Sequence, residues 1–297
     1  MASLRAHLGA WMVRRNVRNR LGTMQDVGRI RAVLNGVTFP DPAGVRYAPG
    51  SLGGVPGEWV RPASGDGPRL FYLHGGGFVA CSARTHRPVT GGLAQRGLTL
   101  FVPDYRLAPE HPFPAALEDA LAAWTAFAAE GPGVVAGESA GGNLALLLMI
   151  AARDRGLPLP RAAALFSPAT DLAKTDGSRV SNARRDAMFD PVAVARLLPL
   201  YLGGTDPADP AVSPLRADLS GLPPLLFHVG EREILRDDSV LMAEKARAAG
   251  VEAAAEIFPV VPHVWQFAHS MVPEARRSLD TAASFLKRHA GADTVSV

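Results

Sequence analysis

Two glycine-rich stretches carry the residue types that acyl chemistry needs. They are His74-Gly75-Gly76-Gly77-Phe78 and Gly137-Glu138-Ser139-Ala140-Gly141-Gly142-Asn143. The second sets a serine where a short apolar run meets a helical one, which predicts a sharp strand-to-helix turn with the hydroxyl at its tip. Such a turn needs small neighbours, because the serine backbone is strained and the helix passes close to the strand. Gly137, Ala140, Gly141 and Gly142 meet that need. The first stretch offers backbone amides with no side chains in the way, suited to stabilising an oxyanion. Ser139 at a helix start also lies where unpaired amides and the helix dipole favour negative charge.

A serine hydroxyl attacks well only when a base takes its proton. The chain has eight histidines. His74 belongs to the glycine run and reads as a residue that shapes its loop. His228 falls inside a predicted strand, and His7, His86, His111, His269 and His289 sit in polar or helical settings that suit a packed or solvated ring. His263 differs: it follows the last predicted strand by Pro259-Val260-Val261-Pro262 and precedes Val264-Trp265. That places it on a strand-to-helix loop at the carboxyl edge of the sheet, where a base is expected. The chain order serine, acid, histidine asks for a carboxylate between the two. Gly230-Glu231-Arg232-Glu233-Ile234-Leu235-Arg236-Asp237-Asp238 follows a predicted strand and offers four. Glu233 is early enough to lie on the loop and reach a ring nitrogen of His263, with Asp237 as the alternative. Asp237 and Asp238 precede an apolar-periodic run and read as first-turn or capping residues. Glu138 reads either as an anchor for the turn or as a solvated charge.

The elements that must position these residues alternate in type. Predicted strands at 70–73, 98–102, 133–136, 162–166, 225–229 and 253–258 are separated by helical patterns, including 115–129, 143–153 and 272–289. That alternation predicts a parallel sheet covered by helices. Residues 172–216 interrupt it with a polar start, a helix near 192–202 and a Gly-Asp-Pro stretch. With residues 1–45 this segment is expected to form a cap over the carboxyl edge of the sheet, where open α/β sheets place their sites. Phe78, Met188, Leu198, Tyr201, Leu202 and Trp265 are candidate apolar walls of a substrate pocket, with core packing the competing reading for each.

Composition bounds the rest. Hydrophobic residues make up 47% and charged residues 20% of 297 residues, ordinary for a globular protein and suited to one domain spanning 1–297. The single cysteine, Cys81, rules out an intramolecular disulfide and reads as a buried inert thiol, so a cytoplasmic location is expected. The net charge of +3 is uneven: residues 1–35 hold seven arginines against one aspartate, leaving about −3 elsewhere. A basic amphipathic start allows a membrane-surface or nucleic-acid role. The preferred expectation is a cap helix whose Leu4, Leu8, Trp11 and Met12 pack inward with the arginines in solvent. Arginines interrupt every candidate apolar run near the start, which argues against a signal peptide, and no run is long enough to cross a bilayer.

His74–Phe78, Gly137–Gly142, Asp104-Tyr105-Arg106-Leu107-Ala108-Pro109-Glu110 and the acid-to-histidine segment together resemble the bacterial hormone-sensitive-lipase family of α/β-hydrolases, over roughly residues 55–290. The resemblance implies an α/β-hydrolase fold. This is a mostly parallel eight-stranded sheet flanked by helices, with a helical cap from the N-terminus and an insertion after the sixth strand. It further implies hydrolysis of carboxylic esters with small to medium acyl groups and no metal or organic cofactor. By position, Ser139 is the nucleophile, His263 the base, and Gly76, Gly77 and Ala140 the oxyanion-hole amides. Many family members carry Asp-Pro-Leu-x-Asp after the seventh strand; here the first position is Glu233 and the second Ile234.

The expected partner is a small-molecule ester, with no nucleic acid and no stable membrane insertion; a homodimer through 253–258 is open. A lactone hydrolase with the same machinery is the alternative enzyme. A ligand receptor on the same fold, like the plant gibberellin receptors that resemble this family, lacks the histidine base that His263 supplies here.

Overall fold

Short runs rich in Leu, Val and Phe, each closed by glycine, proline or a polar turn, become the strands of one sheet. The computed structural model describes residues 2–21, 26–37 and 39–291. Helix α1 (Leu4–Val13) passes through a π-helical turn (Arg14–Arg18) into α2 (Asn19–Leu21), and α3 (Val27–Asn35) follows. Then come β1 (Val45–Leu52), β2 (Val55–Pro62), β3 (Arg69–Leu73), α4 (Arg87–Ala94), β4 (Thr99–Pro103), α5 (Ala115–Ala129), β5 (Val134–Glu138), α6 (Ala140–Asp154) and β6 (Ala163–Phe166). The remainder is α7 (Ser178–Ser181), α8 (Pro191–Leu202), β7 (Leu225–Gly230), α9 (Arg236–Ala248), β8 (Ala253–Phe258) and α10 (Pro273–Ala290).

The eight strands lie in the order β1-β2-β4-β3-β5-β6-β7-β8. β1 and β2 pair antiparallel with each other and β2 with β4; every pair from β4 to β8 is parallel. Parallel strands bury both faces, and side-chain alternation splits the core accordingly. In β3, Phe71 and Leu73 join a cluster with Trp124, Phe127 and Leu144, while Leu70 and Tyr72 join Val134, Leu279 and Phe285 on the other face. Phe71 meets Trp124 and Phe127 at ring-centroid distances of 5.7 and 5.5 Å. Truncating it to alanine would cost about 3–5 kcal/mol. Among the described residues no helix is long and apolar enough to cross a membrane.

The excursion after β6 and the N-terminal helices are held together by arginines on backbone carbonyls. Arg18 donates to the carbonyls of Asp186, Phe189 (2.7 Å) and Ala183 (2.7 Å) and pairs with Asp190 at 3.2 Å. Arg31 reaches the carbonyls of Val79 (2.7 Å) and Ala108 (3.0 Å) and forks onto Glu110. The expectation that Leu4, Leu8, Trp11 and Met12 pack inward is overturned. They are 87%, 55%, 56% and 41% exposed. The buried side of this segment is the smaller one, Ala6, Val17 and Leu21. Two contacts set the rotation of the helix: Ser3 bonds Glu274 through both its amide and its hydroxyl, and Ala6 packs beside Phe258, Trp265 and Ala275.

Two histidines are sealed in this core. Burial holds the His228 ring at about 3, with Arg277 adding to the effect, and holds His74 at about 3, with His86 adding. Each takes up a proton on unfolding between about pH 3 and the ordinary value of 6.5. Stability is therefore fully present above that value and falls as the pH drops toward 3. We expect the melting temperature to decline steadily between pH 7 and pH 5, with net proton uptake on unfolding by calorimetry in buffers of different ionisation enthalpy. A flat melting temperature across that window would contradict the assignment.

Candidate active site

Ser139 sits between β5 and α6 with φ 55° and ψ −120°, a conformation a non-glycine residue adopts only under constraint. The constraint is a close crossing of backbones. A Cβ on Gly141 would collide with the carbonyls of Leu73 and His74, and one on Gly137 with the carbonyl of Gly141. Glycine at both positions lets α6 start hard against β3 and β5. Helix α6 therefore begins at Ala140, directly after the serine, rather than at the predicted residue 143. The turn is tied across the sheet by Ser139 N–H to Phe166 O (2.9 Å) and Ala169 N–H to Ser139 O (3.2 Å).

The same crossing brings the first glycine run alongside. A Cβ on Gly75 would lie 3.2 Å from Ser139 Cβ. Gly76 and Gly77 have φ 112° and 64°, and the chain turns back through Val79 and Ala80 amides onto Gly76 O (3.2 and 3.1 Å). The Gly75 amide is occupied by Glu138 Oε1. The amides of Gly76, Gly77 and Ala140 take part in no turn or cap bond among the described residues.

Glu138 anchors the glycine loop. Buried to 1% exposure, it pairs with His86 Nε2 at 2.7 Å and accepts from Tyr72 Oη at 2.5 Å in addition to the Gly75 amide. Burial and the Glu138 charge raise the Tyr72 phenol well above its usual range. His86 is thus a buried partner of Glu138, a role its sequence setting did not single out. His74 shapes its loop as expected: it stacks on Tyr105 at 4.3 Å, and Tyr105 Oη donates to His74 O at 2.6 Å. Burial pushes the Cys81 thiol up to about 12, so it stays protonated.

His263 and Glu233 meet at the carboxyl ends of β8 and β7. Nδ1 of the ring lies 2.6 Å from Glu233 Oε2, both side chains being 1% exposed. Facing a carboxylate, that nitrogen is the donor. His263 Nε2 is buried and makes no hydrogen bond. The second oxygen of Glu233 accepts from Ser167 Oγ (2.7 Å) and the Gly230 amide (2.6 Å). Asp237 points elsewhere: it accepts from the Ser178 amide at 2.7 Å. Asp238 is fully buried on Arg179 (3.2 Å) and the Thr170 amide (2.8 Å).

Backbone strain marks the same place. The non-glycine residues with positive φ among those described are Phe78, Cys81, Ser139, Ser167, Val260 and Val264. They lie on the glycine loop, the turn, the loop touching Glu233 and both flanks of His263. Each costs on the order of 1–3 kcal/mol and persists only where its surroundings over-determine it.

The apolar surroundings differ from the sequence expectation. Phe78 and Tyr201 stack on each other at 3.6 Å and are 3% and 1% exposed, and Leu202 joins them in the core. Trp265 leaves the candidate wall altogether, because its turn folds the ring onto Phe258 (4.9 Å) in the cluster with Ala6 and Val272. Met188 and Leu198 are half-buried against the main core. The residues that approach the site are Leu197, 3.5 Å from a Cβ built on Gly77, and Phe189, edge-on to the His263 ring at 4.7 Å. With Leu21, Ile30 and Ala193 they line an apolar cleft of about 10 Å³. The spacing Ala193, Leu197, Tyr201 along α8 carries that signal, one residue away from Leu198. A larger cleft of about 370 Å³, lined by residues such as Phe39, Arg96, Phe267 and His269, contains none of the candidate catalytic residues.

Two further residues had no sequence signal. Asp186 accepts from the Met188 (2.7 Å), Phe189 (2.9 Å) and Ile234 (2.8 Å) amides. Its carboxyl is pushed up by burial and by the Glu233 charge. Asn182 donates to Glu231 O (3.0 Å) and Glu233 O (2.9 Å). Together they join the segment over the His263 ring to the loop that carries Glu233.

A family model described as the α/β-hydrolase fold matches residues 70–267. An acetyl-hydrolase from Streptomyces hygroscopicus is 42% identical over 246 residues, covering 81% of this chain and 82% of that protein. A crystal structure of EstE5 soaked with p-nitrophenyl butyrate superimposes with a TM-score of 0.93 at 36% identity, covering 98% of this chain and 100% of that one. That of an esterase from the bacterial hormone-sensitive lipase family gives 0.92 at 36% identity over the same shares.

If Glu138 holds the glycine loop, Glu138→Gln should lower kcat on a soluble ester by about 10–100-fold with KM nearly unchanged, since donors aimed at a developing charge act mainly in the transition state. Steady-state kinetics check this; a change confined to KM would contradict it.

Proposed function

This chain belongs to the α/β-hydrolase family, in its bacterial hormone-sensitive-lipase branch, and is a serine carboxylesterase of that type; from that premise we propose that Ser139, His263 and Glu233 are its catalytic triad. The observation that carries the reading is the buried His263–Glu233 pair, which leaves Nε2 unpartnered at the sheet edge that also holds the strained serine.

In this reading Ser139 Oγ attacks the ester carbonyl carbon while its proton passes to His263 Nε2. The carbonyl oxygen becomes an oxyanion that accepts from the Gly76, Gly77 and Ala140 amides. Collapse expels the alcohol, which leaves with the proton from His263, and the acyl group stays on Ser139. Water then gives a proton to the ring and attacks the acyl carbon; a second collapse returns the proton to Ser139 Oγ and releases the acid. Glu233 fixes the tautomer and stabilises the charged ring without itself taking the proton. Ser167 and the Gly230 amide hold the carboxylate for that task. Helices α1–α3 and residues 172–216 form the cap, with Leu197 and Phe189 as its side chains nearest the glycine loop and the His263 ring.

Turnover of p-nitrophenyl acetate tests the assignment. Ser139→Ala and His263→Ala should each lose activity by roughly 10⁴-fold or more, and Glu233→Gln by about 10³–10⁴-fold. Asp237→Asn should stay within about threefold of wild type, a surface-type effect. Wild-type turnover by Ser139→Ala, or a larger loss in Asp237→Asn than in Glu233→Gln, would overturn it.

A further inference from the structure

Helix α1 has two apolar sides, and only one is used by the fold. At about 100° per residue, Leu4, Leu8, Trp11 and Met12 fall within one arc and Ala6 lies on the opposite side. Ala6 is buried while the four larger residues stand in solvent. Met271, whose carbonyl accepts from Arg5 at 3.1 Å, is a further exposed apolar residue at 47%. The arc is an apolar helix face on the outside of the molecule, a feature that marks an interaction surface.

The charges beside this face are of one sign. Residues 1–25 contain five arginines and no acid. Arg5 and Arg15 are exposed, and the Arg15 guanidinium lies 5.6 Å from the Trp11 ring centre. Arg14 and Arg18 are directed instead to carbonyls of residues 183–189 and hold the helix in place.

We propose that α1 docks on an anionic lipid surface, with Leu4, Leu8, Trp11 and Met12 at the acyl boundary and Arg5 and Arg15 among the headgroup phosphates. Tryptophan, leucine and flanking arginine on one helix face match the two layers of such an interface. A second copy of the chain fits less well, because a two-fold contact would bring an arginine-bearing helix without acids against itself. Arg18 holds the Phe189 carbonyl, and the Phe189 ring lies edge-on to His263 at 4.7 Å, so docking through α1 would place the lipid surface against the cap segment that reaches the site. Lipid docking does not depend on the esterase reading.

Co-sedimentation of the full chain with large vesicles tests this. One set is phosphatidylcholine with a third of phosphatidylglycerol, the other phosphatidylcholine alone. The wild type should pellet with the anionic vesicles, weakly with the neutral ones, and less as salt is raised. Leu8→Gln combined with Trp11→Gln should weaken partitioning by about tenfold or more. The same double variant should keep wild-type turnover of soluble p-nitrophenyl acetate, which reports an intact fold. Equal pelleting of wild type and variant, or no pelleting of either, would overturn the proposal. A dimer that the double substitution splits, seen by sedimentation velocity without vesicle binding, would assign the face to a second copy instead.

Discussion

The arrangement depends on one steric constraint, the crossing of the Gly137–Gly141 turn over the ends of β3 and β5. Three backbones meet there at distances that no side chain allows, and the serine between them is forced into a positive φ. From that crossing follow the start of α6 directly after Ser139, the closeness of Gly75 to the serine Cβ, and the line of strand ends that brings Ser167, Glu233 and His263 into reach of one another. The strain at Ser139, Ser167, Val260 and Val264 is sustained by the two-faced core beneath them, where aromatic clusters on one side and α10 on the other fix the strands.

A second layer of order comes from charges used on backbone atoms. Glu138 holds a loop amide, Asp186 holds three, and Arg18 and Arg31 hold carbonyls on both sides of the site. Charge-assisted bonds of this kind are shorter and stronger than neutral ones, and they fix loops that have little secondary structure of their own. Asp186 is the most economical case: a single carboxylate fixes both Phe189, which packs edge-on to His263, and Ile234, next to Glu233. Loop position and the geometry of the Glu233–His263 pair are therefore mechanically linked through buried polar groups.

Most of the central sheet was legible because buried parallel strands are written as continuous apolar runs closed by turns; α5 and β8 coincide with their predicted ranges. The pair β1 and β2 was not read from periodicity, since Pro49, Gly50, Pro56 and Gly57 break the alternation and the outer strand is largely exposed. Ser139, Glu233 and His263 stand out as candidates because each sits just past a strand, where chemistry-bearing residues have a restricted choice of place. The partners could not, because His86, Asn182 and Asp186 act across 50 or so positions of chain through contacts that local pattern does not encode. The α1 stripe shows the opposite failure: the periodicity was real, but it identified an apolar face without saying which way it points. Ser3 and Ala6 decided that through their contacts with Glu274 and Phe258.

The central claim is that a single strained serine, and no other hydroxyl at this sheet edge, is the attacking group. Ser167 is the internal competitor, since it too has positive φ and its hydroxyl donates to Glu233 directly. Covalent trapping with a p-nitrophenyl phosphonate, followed by intact mass and peptide mapping, separates the two. The account predicts one adduct per chain, carried by Ser139 and absent from Ser139→Ala. An adduct on Ser167, or labelling that persists in Ser139→Ala, would contradict it.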